Sequence, residues 1–220
     1  MSTAPSRLRS LAQRSPVPEP QAAAEEQCEL CSEPIDAGHR HLLDVQLRRM
    51  LCVCRPCSIL FDQRGAGGAH YRLIPRDSRR LVDFDLDDAV WQSFRIPVDL
   101  AFFFDSSAAG KVVAFYPAPV GATESLLELG DWEAVVAKNP VLAELEQDVE
   151  ALLVNRTRGA RDHWLVPVDR CYELVGLIRK GWKGFGGGPD VWAEVDSFFE
   201  RLRREATPVT REGATVRNDG

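Results

Sequence analysis

Two Cys-x-x-Cys pairs constrain this chain more than anything else in it. Cys28-Glu29-Leu30-Cys31 and Cys54-Arg55-Pro56-Cys57 stand 22 residues apart. In each pair a tight turn, or knuckle, aims both sulfurs at one point, and two knuckles together close a tetrahedral thiolate site. The gap slightly exceeds the roughly 15–20 residues of the common four-Cys signature. A β-hairpin fills it, because a hairpin returns the chain close to where it began. The stretches His41-Leu42-Leu43-Asp44-Val45 and Arg49-Met50-Leu51-Cys52-Val53 read as its strands, with a polar turn at Gln46 to Arg48. The second pair then meets Ser58-Ile59-Leu60-Phe61, which reads as the start of a short helix. Free N–H groups and positive partial charge at a helix start both favour thiolates. Knuckle, hairpin, then a Cys pair entering a helix resembles the treble-clef type of zinc finger.

The expected ligands are therefore Cys28, Cys31, Cys54 and Cys57, and the expected ion is Zn²⁺, the usual occupant of a closed four-Cys site. Iron is the alternative, in the manner of rubredoxin. Rubredoxin knuckles place Gly after the second Cys, whereas Ser32 and Ser58 stand there in this chain, which favours zinc. A segment of about 40 residues rarely folds without a staple. A metal supplies on the order of 10–16 kcal/mol in zinc-finger peptides, so a structural role accounts for the four thiols without catalysis. Cys52 shares a strand face with Cys54 and could exchange with it, but is expected to be a buried apolar residue. His39 and His41 are weighed as alternative ligands and expected in supporting or surface roles.

Of the six Cys, five fall between residues 28 and 57, and Cys171 stands alone. A disulfide scaffold would be smaller and more evenly laced. The first 30 residues lack the apolar stretch of an export signal, and no run of 18 apolar residues predicts a membrane span. The expected setting is the cytoplasm. Charge is uneven. Residues 28–80 carry nine Arg against six acids, whereas residues 81–155 carry three basic groups against fourteen acids. The acidic middle repels a phosphate backbone, and a metal-bound tetrathiolate offsets most of the local positive charge. Nucleic acid is thus disfavoured as a partner.

With 45% hydrophobic and 27% charged residues in 220, the chain has material for a true core. The expected architecture is α+β. A polar tail at 1–26 precedes a four-Cys module at 27–75. An α+β domain at 80–206 follows, with a small, mainly antiparallel sheet and several helices, and a second polar tail occupies 207–220. Within the domain, Asp85 to Asp88 predict an acidic helix start, and Leu100 to Asp105 with Lys111 to Tyr116 predict a hairpin. Thr123 to Val136 reads as helix, Asn139-Pro140 as a helix restart, and Glu150 to Asn155 and His163 to Val166 as strands. Asp169 to Trp182 and Val191 to Leu202 show helical spacing. Cys171 with His163 and Asp169 has the residue types of a thiol nucleophile, yet helical spacing makes Cys171 a packed core thiol. Gly181 to Gly188 lacks phosphate-loop spacing and reads as a connector. No catalytic motif is present, so an enzyme is not expected.

The Cys pairs, followed by Val98-Asp99-Leu100-Ala101-Phe102-Phe103-Phe104, Val112-Val113-Ala114-Phe115-Tyr116-Pro117, Gly121-Ala122-Thr123-Glu124-Ser125 and Leu152-Leu153-Val154-Asn155-Arg156, resemble an uncharacterised actinobacterial family. The resemblance covers about residues 27 to 205. Genes for members of that family often sit beside those for nickel–iron hydrogenases, and the family brings no established activity. What the resemblance implies is a cytoplasmic accessory or assembly protein whose partner is a hydrogenase subunit or a maturation factor.

Overall fold

The computed structural model describes residues 26–62, 70–125, 129–182 and 188–216. The tail expected at 1–26 lies outside these residues except for Glu26, as does most of the Gly-rich connector.

The N-terminal module is built on the hairpin that the Cys spacing demands. Strands β1 (Arg40–Asp44) and β2 (Arg49–Val53) pair antiparallel, and β3 (Tyr71–Leu73) adds to the other side of β1. The turn between β1 and β2 is locked where Asp44 Oδ1 accepts the Leu47 N–H at 2.8 Å and Arg48 takes a left-handed φ of 50°. Leu42 and Leu51 face each other across the hairpin and are buried with Val53, Cys28 and Cys54. Helix α1 (Arg55–Leu60) follows β2 at once. It starts three residues earlier than expected because Pro56, whose φ suits a first turn and whose missing N–H costs nothing there, lies inside it.

The larger sheet has seven strands in the order β10-β4-β9-β8-β5-β6-β7. They are β4 (Arg79–Leu81), β5 (Leu100–Ser106), β6 (Lys111–Ala118), β7 (Gly121–Ser125), β8 (Glu150–Asn155), β9 (Asp162–Pro167) and β10 (Thr207–Val209). Every neighbouring pair is antiparallel except β10 with β4. The sheet is thus mainly antiparallel, as expected, but larger than expected. The expected hairpin forms between β5 and β6, with Phe103 opposite Ala114. β8 is buried along its whole length, the mark of a central strand covered on both faces.

Strict alternation along the strands divides the core in two. Ala101, Phe103, Leu152, Val154 and Leu165 face one way, towards α2 (Asp88–Ser93) and α3 (Leu129–Lys138). Leu100, Phe102, Ala151, Leu153, Trp164 and Val166 face the other way, towards α4 (Val168–Gly181) and α5 (Gly188–Glu205). Asp87 caps α2, its side chain accepting the Val90 N–H at 2.8 Å, where the acidic run predicted a helix start.

Two segments differ from the sequence reading. Thr123 to Ser125 belongs to β7 rather than to a helix. Gly121, with φ 125°, turns the chain back on β6 so that Glu124 pairs with Phe115, and this pairing overrides the helical composition of the stretch. The segment after Ala206 is not a free polar tail at its start. Thr207–Val209 forms β10, Val209 is buried, and Thr210 to Val216 turns back on it. Pro208 is tolerated because β10 is an edge strand.

His163 of β9 lies in the first core. Its ring packs against Phe84 with centroids 4.6 Å apart, and its Nε2 is buried without a partner among the described residues. Burial, reinforced by Arg156 and Arg161 nearby, brings its pKa down to about 4, so folding keeps the ring neutral. An unfolded chain binds a proton near pH 6.5 that the folded chain refuses, so stability is full above pH 6.5 and falls as pH drops towards 4. The loss amounts to about 3 kcal/mol by pH 4. His163→Phe should flatten the pH dependence of the urea midpoint in that window; an unchanged slope would exclude His163 as its source.

The module and the domain share a small core. Ile74, Val149 and Val168 are buried together, with Leu43, Met50, Phe104 and Tyr172 packed around them. Polar contacts border it. Arg72 meets Glu146 at 3.5 Å, Asp148 at 3.6 Å and the Gln147 carbonyl, and His41 meets Asp169 at 2.7 Å.

Candidate metal centre

The four Cys singled out by spacing come together. One sulfur from each of Cys28, Cys31, Cys54 and Cys57 lies within 4.8 Å of all the others. A tetrahedral ion with metal–sulfur bonds of about 2.3 Å sets sulfurs about 3.8 Å apart. Cys31 Sγ and Cys54 Sγ lie 3.6 Å apart, close to that figure and far beyond a disulfide bond of about 2.05 Å. All six Cys are free thiols.

Local backbone explains the convergence. In the first knuckle the Ser32 N–H donates to the Cys28 carbonyl at 2.8 Å, and the Cys28 N–H donates to the Glu33 carbonyl at 2.8 Å. Ser32 takes φ 63°, a left-handed turn that Gly adopts more readily but that Ser accomplishes here. The knuckle is tied to the hairpin where Glu29 N–H meets the Cys52 carbonyl at 2.9 Å. In the second knuckle Cys54 is the N-cap of α1 and Cys57 lies in its first turn, so that Ser58 N–H donates to the Cys54 carbonyl at 2.9 Å.

The thiols are not equivalent. Burial raises the Cys28 thiol, but N–H groups of Cys54, Leu30 and Cys31 outweigh it and bring the pKa down to about 6. Burial pushes the Cys57 thiol up, and its contacts with Cys31, Cys54 and Cys28 push it further. The Cys28 sulfur readily holds negative charge, while Cys57 and Cys31 resist adding more. A divalent cation relieves this repulsion and releases protons as it binds. Thiol-only donors at this spacing suit zinc or iron and not a hard cation. Cys28 and Cys54 are buried, whereas Cys31 is exposed.

The structure also assembles a group that the sequence reading left apart. His39, His41 and Cys52 each offer one donor atom within 4.8 Å of the other two. Cys52 is half-buried, not the fully buried apolar residue expected. It parts from Cys54 because β2 ends at Val53 and the chain enters α1. The hairpin register was the signal that could have found this group: His41 pairs directly with Cys52, and His39 lies two residues along the same chain.

Other candidates do not assemble. Cys171 is wholly buried and its thiol is raised by burial, and its helix packs it into the second core. Of the acids near α2, Asp87 serves as a cap, while Asp85 and Asp87 share Lys138 at 3.4 and 3.2 Å. Among the described residues, no helix is long and apolar enough to cross a membrane.

Fold and cluster define a mixed α+β protein whose N-terminal module gathers four thiols of a kind that can take a metal ion. The chain belongs to the family of unknown function DUF5947, whose profile matches residues 27–206. Neither a comparison with curated proteins nor one with solved structures gives a match.

Proposed function

We propose that Cys28, Cys31, Cys54 and Cys57 hold one structural Zn²⁺ in a treble-clef-like module, and that this module is the docking face of a non-enzymatic, cytoplasmic accessory protein. The observation that carries the reading is the apolar surface of the module. Ile59 and Leu60 on α1 are 64% and 65% exposed, and Leu47 at the hairpin turn is 68% exposed. A module whose own buried core, among the described residues, consists of Leu42, Leu51 and Val53 besides two Cys leaves three large apolar side chains in water, a cost that a partner removes. The resemblance to proteins encoded beside hydrogenases supplies the partner class, a nickel–iron hydrogenase subunit or maturation factor.

The test is co-purification of the full chain with separately expressed hydrogenase subunits and maturation factors. Ile59→Asp with Leu60→Asp should weaken the complex at least tenfold, as expected for two lost apolar contacts of about 1.5–3 kcal/mol each, while metal content stays constant. A complex that tolerates both changes, or no complex with any of these proteins, overturns the reading.

Exposure of Cys31 favours one second reading, an iron electron carrier in which that sulfur is the electron's exit. Elemental analysis with an absorption spectrum separates the two. A colourless zinc protein supports the structural role, and iron with thiolate charge-transfer bands supports the carrier.

A further inference from the structure

The geometry points to a second metal site, distinct from the four-Cys cluster, in which His39, His41 and Cys52 bind a divalent transition-metal ion of the zinc class. It is independent of the docking role proposed above.

Both imidazoles are held through Nδ1. His39 Nδ1 lies 2.7 Å from the Asp36 carbonyl oxygen. A carbonyl can only accept, so the proton sits on Nδ1 and Nε2 carries a bare lone pair. That Nε2 is buried and has no hydrogen-bond partner among the described residues, a costly state for a polar atom. His41 Nδ1 lies 2.7 Å from Asp169 Oδ2, and a carboxylate oxygen, which can only accept, likewise puts a proton on Nδ1. A ring whose Nδ1 is fixed by a carbonyl or a carboxylate, with Nε2 left free, is the usual state of a metal-ligating histidine. The rings meet edge to face, with centroids 4.9 Å apart.

Cys52 completes the set. It lies opposite His41 in the hairpin, and its N–H is held by Glu29 Oε2 at 2.6 Å, which fixes the backbone that carries the sulfur. A tetrahedral ion sets two nitrogens and a sulfur roughly 3.3–3.8 Å apart. One ring nitrogen of each histidine and the Cys52 sulfur lie within 4.8 Å of one another, a span close to what such an ion requires.

The donor set selects the ion. Two imidazoles and a thiolate suit zinc and its neighbours and exclude calcium and magnesium, which take oxygen. Three protein ligands leave a fourth position for water or an anion. A cleft of about 520 Å³ is bordered by His39, His41 and Asp169, and by Arg40, Arg76 and Arg170.

The test is titration of the metal-free full chain with Co²⁺ under reducing conditions, followed by absorption, with zinc per chain measured separately after dialysis. The wild type should take up two equivalents, one with the intense bands of four thiolates and one with the weaker band of a single thiolate. His41→Ala, His39→Gln and Cys52→Ala should each take up one equivalent and keep the four-thiolate bands, which also reports that the module has folded. Asp169→Asn should weaken the second equivalent about 10–100-fold and leave the first unchanged. A wild type that binds one ion, or variants that still bind two, overturns the proposal. Loss of the four-thiolate bands in Cys52→Ala also overturns it, because Cys52 would then belong to the first cluster.

Discussion

Cys28→Ser or Cys57→Ser is expected to abolish the metal binding proposed for the four-Cys cluster and open the module to protease. Serine is the size of cysteine but offers zinc a hydroxyl in place of a thiolate, so the change tests ligation with little change in packing. The effect should be large because the module's own core is small. Leu42, Leu51 and Val53 are its buried apolar side chains besides two of the Cys themselves, whereas a bound metal contributes on the order of 10–16 kcal/mol in zinc-finger peptides. Unfolding should be local. Among the described residues the two cores of the seven-stranded sheet are built from domain residues alone, and the module meets the domain through the small core around Ile74, Val149 and Val168, so cleavage should fall first between residues 26 and 75. Cys171→Ala, buried in the second core, should leave metal content unchanged. A Cys28→Ser chain that keeps its metal and resists protease would refute the ligand assignment, as would loss of metal from Cys171→Ala.

The second large effect belongs to Trp164. Its side chain is wholly buried and stacks on Phe199 of α5 with ring centroids 5.1 Å apart. Trp164→Ala removes the largest side chain between β9 and the helices on that face, and should cost about 3–5 kcal/mol. Trp164 Nε1 is buried with no hydrogen-bond partner among the described residues. Trp164→Phe therefore keeps the stacking while deleting an unpaired donor, and should cost much less than alanine. Urea denaturation followed by circular dichroism reads both. Equal losses for the two variants would show that ring stacking on Phe199 contributes little.

What could be read from the sequence was local. The Cys pairs and their hairpin follow from spacing within about 30 residues, and the β5–β6 hairpin follows from two apolar runs around a polar loop. Helix α4 and the apolar stripe of α5 follow from periodicity. The misreadings have a common cause: long-range pairing outweighing local propensity. Thr123 to Ser125 looked helical until β6 captured it. Thr207 to Val209 is too short to show a period, and only its partner Arg79–Leu81, far back in the chain, makes it a strand. The pairing of His41 with Asp169 spans 128 residues and leaves no trace in local pattern. The group of His39, His41 and Cys52 lay between these cases. Each residue stands out singly in the sequence, but only the hairpin register brings the three together.

Strand β10 has a practical consequence. The family profile ends at residue 206, one residue short of it. β10 covers the outer side of β4: Thr207 N–H donates to the Ser78 carbonyl at 2.9 Å and Val82 N–H to the Val209 carbonyl at 3.0 Å. A chain shortened to the profile would lose both bonds and lay bare an edge with open hydrogen-bonding groups, beside the pocket that Val209 had filled. Such an edge is a template for joining to its like, so shortened chains should clump sheet to sheet. Three residues outside the shared family region thus guard the solubility of the whole, and an affinity tag fused after them needs a spacer long enough to leave them in place.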